Sequence, residues 1–361
     1  MPPILHADAD SFFASVVLRS HPALRSEPLA VVVHGFVASS NYPARARGVT
    51  GGMLVTDALR RCPELALFDV PQGEVEETAD ALFDLFAASA AAVEPGSMEE
   101  AFLEVGAPDD RAAVRAATEL RRRAWQELRI PVSVGVGRTK LMAKLASRAA
   151  KPDGLHVIDA ETERGLRSTL PVAKVWGVGR QTLERLEALG VRRLGDLDGV
   201  LPERLLDACG TMMTRRLLGI RDGGDDATVR PVSGRTLLSS EGAIAGYARR
   251  DWTVDELVET CIRRVCKRAM RAGLAATGLT IVLRGETAEL ATVQATGRAV
   301  VLATVKAVVP TPTPADDPSL WMRLARAELA ALPEHAVADA GSVKASLTGL
   351  RPLAGIPPTL F

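Results

Sequence analysis

Two short stretches decide the fold: Ser97-Met98-Glu99-Glu100-Ala101-Phe102-Leu103-Glu104 and Leu5-His6-Ala7-Asp8-Ala9-Asp10-Ser11-Phe12-Phe13. Each reads as a short apolar strand interrupted by acids. A buried carboxylate is costly unless it is paired or bound to metal. Two acidic strands side by side make an oxygen-rich cage suited to Mg²⁺, which takes carboxylates together with substrate phosphates. Two metals ~4 Å apart, clamping attacking and leaving oxygens, are the geometry of phosphoryl transfer. Neighbours in a regular strand point to opposite faces, so Glu99 and Glu100 reach one metal only at the edge of a hairpin. Pro95-Gly96 supplies a turn for it, with both acids expected within reach of Asp8. Asp10 reads as a capping or structural acid.

The 361 residues suit two or three domains. Formal net charge is zero, so the whole molecule is not a basic nucleic-acid binder and any DNA contact must be local. Aromatics make up 4%, which argues against a stacking surface for single strands. Cys62, Cys209, Cys261 and Cys266 form no CxxC pair, so zinc and a disulfide framework are not expected. No basic stretch followed by an apolar segment opens the chain, and no apolar run is long enough for a membrane span. The expectation is a cytoplasmic protein that does not contact membranes.

Strands are expected over 3–8, 29–33, 101–105 and 132–136, and helices over 11–18, 53–61, 74–92, 110–128 and 139–149. This order suggests an α/β layer with helices on one face. From about Ala160 the texture becomes helix, glycine hairpin, helix, around Trp176-Gly177-Val178-Gly179 and the helix Arg180–Leu189. From about Ser233 a β-α-β-β-α-β order predicts a small sheet with two helices on one side. Its strands are expected at 235–239, 277–283, 291–295 and 342–347, and its helices at 253–272 and 318–331.

Several segments are candidates for phosphate. Tyr42 and Arg45 lie three apart on one helical face, and an arginine fork suits phosphate oxygens. Lys151 stands at a helix end beside Pro152. Lys140 and Lys144 read as a solvated helix face. Gly177 and Gly179 let backbone N–H groups approach a phosphate, with a helix N-terminus and Arg180 following; such a grip on a DNA backbone reads no sequence. Arg263, Arg264, Lys267, Arg268 and Arg271 read as the outer face of one helix. Arg235, Arg284, Arg298 and Lys344 are the better backbone contacts, on the open face of the last sheet.

Together these motifs resemble the Y-family (translesion) DNA polymerases, most closely the DNA polymerase IV or DinB-like branch, over nearly the whole chain. Asp8–Val16, Val37–Arg45, Ser97–Leu103, Val134–Ser147 and Lys151–Gly154 are similar to the family's motifs, in the family's order. The resemblance implies an α+β, right-hand architecture: an α/β palm (1–11 and 72–159), small fingers (12–71), a helix-hairpin-helix thumb (160–228), a linker (229–233), a β-α-β-β-α-β little finger (234–350) and a tail (351–361). It implies metal binding by Asp8, the Ala9 backbone, Glu99 and Glu100, with two Mg²⁺ ions and Mn²⁺ as a substitute. It places Tyr42, Arg45 and Lys151 on the incoming deoxynucleoside triphosphate, beside Phe12 and Phe13, with Phe13 as the steric gate and Phe12 in the core. Primer-template DNA is the implied partner of a monomeric enzyme.

Two positions depart from the family. Glu99 stands where an Asp is usual, which adds a methylene and predicts a slower enzyme, relatively better with Mn²⁺. Phe36 is larger than the family's usual residue over the nascent base pair. The end Ile356-Pro357-Pro358-Thr359-Leu360-Phe361 looks like a sliding-clamp-binding peptide anchored by Leu360 and Phe361, with Pro357 in place of its opening glutamine. The favoured function is template-directed DNA synthesis. The alternative is a catalytically weak or inactive DNA-binding scaffold of the same shape in DNA repair; the retained acids argue against it, because buried charge without use costs stability.

Overall fold

The computed structural model describes residues 2–33, 35–224, 228–243, 252–285, 301–308, 315, 317–331, 337 and 340–353. The chain divides into two compact units, Met1–Val31 with Val37–Arg230, and Val32–Phe36 with the chain from Pro231 on.

From the N-terminus, β1 (Ile4–Ala9) leads into α1 (Phe12–Ser20), then β2 (Leu29–Val33), β3 (Phe36–Ser40), α2 (Tyr42–Ala46), α3 (Val55–Arg61) and β4 (Ala66–Asp69). There follow α4 (Gln72–Ser89), β5 (Ala92–Pro95), β6 (Glu100–Glu104), α5 (Asp110–Arg123), β7 (Val132–Gly137), α6 (Lys140–Ala150) and β8 (Leu155–Ile158). The main sheet has the order β5-β6-β1-β7-β8. The strand at 29–33, expected in the same layer, instead joins a separate sheet of order β3-β2-β4.

Strand parity sorts the side chains of the main sheet. Leu5, Ala7, Ala101, Leu103, Val134 and Val136 point one way, into a core with Leu82 and Phe86 of α4 and Ala113, Ala117 and Leu120 of α5. Burying a side chain such as Leu82 or Phe86 contributes roughly 2–3 kcal/mol. His6, Asp8, Glu100 and Gly135 point the other way, where α6 packs. Helices therefore cover both faces, not the one expected. The reason is Gly135: a Cβ there would lie 2.1 Å from both Ala143 O and Ser147 N, so only a bare strand admits α6 this closely. Thr139 caps α6, accepting from Met142 N at 3.3 Å.

The hydrophobic side of α6 shares a core with the helical segment that follows. Leu141, Met142 and Ala146 pack with Leu170, Val172, Leu186, Leu194 and Leu217. That segment contains α7 (Ala160–Thr169), α8 (Arg180–Ala188) and α9 (Pro202–Asp222). Buried Glu163 of α7 receives a two-pronged hydrogen bond from Arg138 (3.0 and 2.7 Å) and pairs with Arg167. Burial works to raise that carboxyl, but the two guanidinium groups outweigh it and hold it low.

The second unit runs β9 (Leu237–Ala243), α10 (Val254–Arg271), β10 (Leu274–Ala275), β11 (Gly278–Gly285), β12 (Val301–Val308), α11 (Pro318–Ala330), β13 (Ala340–Thr348) and β14 (Arg351–Pro352). Apart from the short pair β10 and β14, which form their own two-stranded sheet, the β-α-β-β-α-β order is present. The antiparallel sheet has the order β12-β11-β13-β9. Leu279, Ile281, Leu283, Val343, Ala345 and Leu347 face a core with α10 and α11. A capping box between Thr253 and Glu256 starts α10. The strand expected at 291–295 lies outside the described residues, and the strand beside β11 is Val301–Val308. Among the described residues no two cysteines are joined by a disulfide, and no helix is long and apolar enough to cross a membrane.

Candidate active site

The register of the main sheet brings the acids together. Asp8 of β1 stands directly opposite Glu100 of β6, and Ala9 N donates to Glu99 O at 3.0 Å. On its other side Asp8 faces Ser133 of β7. Ligand atoms of His6, Asp8 and Glu100 lie within 4.8 Å of one another, the two carboxylates partly exposed. Each carboxylate has its own lysine: Lys151 Nζ lies 2.6 Å from Asp8 Oδ1, and Lys144 Nζ 2.6 Å from Glu100 Oε2. Two acids on facing strands, at an accessible strand end, are a donor set that fits a hard divalent cation.

Glu99 stands next to that group. It is the last residue of the turn between β5 and β6, where only its carbonyl engages β1. Its carboxyl is pushed up, chiefly by burial, with Asp8 and Glu100 adding to the effect and Ser97 opposing it. The hairpin placement itself holds: β5 and β6 pair through Pro95↔Ala101, with Gly96–Glu99 between them.

Asp10 is structural, as expected. It is buried, and its carboxylate accepts from Tyr42 Oη (2.9 Å), Ser133 Oγ (2.8 Å) and Asp153 N (2.7 Å). It thereby ties α2, β7 and the turn after α6 to the end of β1. Burial and the Asp10 charge raise the Tyr42 phenol well above its usual range, so it stays a donor. Asn41 starts α2 by accepting from Ala44 N at 3.1 Å, which places Tyr42 at the first turn. The Arg45 guanidinium lies 5.0 Å from the Tyr42 ring centroid, so the two share a face. Phe12 is 4% exposed and belongs to the core, as expected; Phe13 is half-buried. Between Asp10 and Phe12, Ser11 holds a left-handed φ of 45°.

Lys140 and Lys144 are not the solvated face expected of them. Each is 7% exposed. Lys140 pairs with Glu94 at 2.7 Å and Lys144 with Glu100. Close packing of α6 on Gly135 turns both stems inward over the sheet. His6 went unrecognised in the sequence. It is fully buried, with Nε2 3.4 Å from Glu100 Oε2. Its signal was parity: two residues before Asp8, it shares that face.

Burial holds the His6 imidazole below its ordinary range and so neutral. Glu100 moves the opposite way: hydrogen bonding from His6, then the Lys144 ammonium, holds its carboxyl down at about 2. A folded value below the ordinary 4.5 means that Glu100 stabilises the fold fully above pH ~4.5 and loses that contribution as pH falls towards 2. Urea unfolding at pH 5 and pH 3 is expected to show a smaller loss of stability for Glu100→Gln than for wild type.

The glycine hairpin has the expected local form. Gly177 has φ 96°, and Gly179 is the N-cap of α8. Arg180 is exposed and pairs with Glu184. Trp176 stacks on Phe102 at 5.7 Å, joining the hairpin to the carboxylate face of the sheet. In the second unit, Arg284 and Lys344 lie on the sheet face opposite the core, half-buried, with Arg284 paired to Glu241. Arg235 is exposed and precedes β9 rather than lying in it. On α10, Arg263, Lys267, Arg268 and Arg271 are exposed, while burial lowers the half-buried Arg264 to about 10. Arg298, Leu360 and Phe361 lie outside the described residues.

The impB/mucB/samB family model matches residues 7–148, the stretch that holds Asp8, Tyr42, Glu100 and Lys144. DNA polymerase IV of Pseudomonas aeruginosa is 39% identical over 248 residues, covering 66% of this chain and 70% of the relative. The chain belongs to the Y-family DNA polymerases. DNA polymerase IV 2 of Mesorhizobium japonicum is 35% identical over 298 residues, covering 80% of this chain and 70% of that one. Among solved structures, the insertion ternary complex of Dbh DNA polymerase has a TM-score of 0.70 at 20% identity, covering 96% of this chain and 98% of that one. DinB from Sulfolobus solfataricus has a TM-score of 0.67 at 19% identity, with the same coverage. Both share the fold. Y-family polymerases use divalent metal ions, and the Asp8–Glu100 pair supplies the oxygen donors such ions take.

Proposed function

We infer that this chain, by family a DNA-directed DNA polymerase of the translesion type, adds deoxynucleotides to a primer 3′ end at the Asp8–Glu100 pair. The observation that carries the reading is that pairing in register, at the strand end where Tyr42, Asp10 and Lys151 also meet. Asp8, Glu100 and the Ala9 carbonyl would hold two Mg²⁺ ions, or Mn²⁺, with Glu99 a weaker contributor. Held there, such ions would supply a lowered pKa for the primer hydroxyl and positive charge for the triphosphate and its leaving pyrophosphate.

The protein's own groups do the rest. Lys151 and Arg45 are cations within the same neighbourhood as the carboxylates and suit the triphosphate. Tyr42 stays protonated and donates, fixed by Asp10. Phe13, half-buried at the start of α1, is the steric gate that leaves no space for a 2′-hydroxyl. The proposed domains are palm 1–11 and 72–159, fingers 12–71, thumb 160–228, linker 229–233, little finger 234–350 and tail 351–361. Gly177, Gly179 and Arg180 in the thumb, and Arg235, Arg284, Arg298 and Lys344 in the little finger, take the primer-template backbone without reading sequence. The enzyme acts as a cytoplasmic monomer, with Leu360 and Phe361 as its sliding-clamp anchor.

A displaced carboxylate costs rate steeply, since ~1 Å of misplacement is worth ~100-fold. Glu99→Asp, which restores the family's shorter side chain, is expected to raise kcat by roughly 10-fold in primer extension and to narrow the advantage of Mn²⁺ over Mg²⁺. Should wild type and variant both be inert while still binding primer-template, the scaffold reading replaces this one.

A further inference from the structure

Behind Glu100 lies a buried polar trio: His6 and Ser147 at 0% exposure and Lys144 at 7%. An ammonium is costly to bury unless its partners are fixed. Here they are. Lys144 Nζ lies 2.6 Å from Glu100 Oε2 and 3.5 Å from His6 Nε2. His6 Nδ1 lies 2.7 Å from Ser147 Oγ, which lies 3.0 Å from the Lys144 carbonyl oxygen. The contacts close a ring that begins and ends on α6, the helix seated on Gly135. The other carboxylate oxygen, Glu100 Oε1, rests over Gly96, where a Cβ would stand only 2.8 Å away. Oε2 of Glu100 is thus held from behind, and Gly96 leaves room for Oε1, whereas among the described residues Asp8 is met within salt-bridge distance by the 22%-exposed Lys151 alone.

We propose that Lys144, backed by His6 and Ser147, is a positioning residue that fixes the direction in which Glu100 presents its oxygens to a divalent cation. This rests on the reading of Glu100 as a metal ligand. In this role Lys144 acts through Glu100, its partner at 2.6 Å. The alternative role for a lysine here is that of a resident cation which a metal must displace. The two roles predict opposite effects on metal affinity: losing a competitor tightens binding, and losing a positioner weakens it.

The test uses the full chain. Mn²⁺ binding is followed by electron paramagnetic resonance without nucleotide, and kcat and KM for a deoxynucleoside triphosphate are measured on a primer-template with Mg²⁺. Lys144→Met is expected to weaken Mn²⁺ binding about 5-fold and to lower kcat roughly 30- to 100-fold, with KM changed less than about threefold. Lys144→Arg keeps the charge and recovers most of both. If Lys144→Met does not fold, Ser147→Ala decides; it is expected to lower kcat roughly 3- to 10-fold at unchanged KM. Tighter or unchanged Mn²⁺ binding with wild-type kcat in Lys144→Met, or wild-type kcat in Ser147→Ala, overturns the proposal while leaving Glu100 a ligand. A wild-type chain that binds no Mn²⁺ overturns the reading of Glu100 itself, and this inference with it.

Discussion

Asp8→Ala is expected to abolish primer extension, with kcat falling at least ~1,000-fold. The variant keeps its place in the fold, because the backbone of β1 stays paired to β6 and β7 through its other residues. What it loses is one of the two facing carboxylates and, among the described residues, the only salt-bridge partner of Lys151 other than Asp10, whose carboxylate is already taken by Tyr42, Ser133 and Asp153. Lys151 is 22% exposed, so its ammonium keeps access to water when Asp8 is lost. The DNA contacts proposed above lie at other residues, so primer-template affinity should stay within about threefold, with its salt dependence unchanged. Asp8→Asn, which keeps the shape and removes the charge, should be nearly as inactive. An active Asp8→Ala protein would remove the carboxylate pair from the chemistry.

The largest effect on stability is expected at a residue with no side chain. Gly135→Ala should destabilise the first unit by more than ~3 kcal/mol, the upper end for overpacking. The new methyl would stand 2.1 Å from two backbone atoms of α6, Ala143 O and Ser147 N, and backbone in a packed helix has nowhere to go. If α6 yields, Lys144 leaves Glu100 and Ser147 leaves His6, so activity falls beyond what the loss of folded protein explains. Urea titration of Gly135→Ala beside Gly73→Ala, an α4 position with open space around a new Cβ, measures the difference.

How much of this was legible in the sequence follows from what each residue must satisfy. Alternation of Leu5, Ala7 and Ala9 against His6, Asp8 and Asp10 is written in the chain, so β1 and the acid side of it could be read directly. Pro95-Gly96 before paired acids announced the hairpin. The separate β3-β2-β4 sheet could not be read, because Leu29–Val33 is equally apolar whichever sheet it joins. The misreading of Lys140 and Lys144 has a single cause. Lysines four apart on a helix face water by default, and only the close approach of α6 to Gly135 and Gly137 turns them inward. Glu99 was placed at the hairpin edge by Pro95-Gly96, and its carbonyl there accepts from Ala9 N. His6 was hidden because a lone histidine in an apolar strand has no spacing partner in sequence; Lys144 and Ser147 are far along the chain.

The central claim is that Asp8 and Glu100 together hold divalent cations for nucleotidyl transfer. A crystal of the full chain with primer-template, an unreactive deoxynucleotide analogue and Mn²⁺, mapped by the anomalous signal of the metal, tests it directly. The account predicts a cation peak bonded to an oxygen of Asp8 and an oxygen of Glu100, each at ~2.1–2.2 Å, with the triphosphate on the same ion. A cation bound elsewhere, with Lys144 and Lys151 still the only partners of those carboxylates, would contradict it.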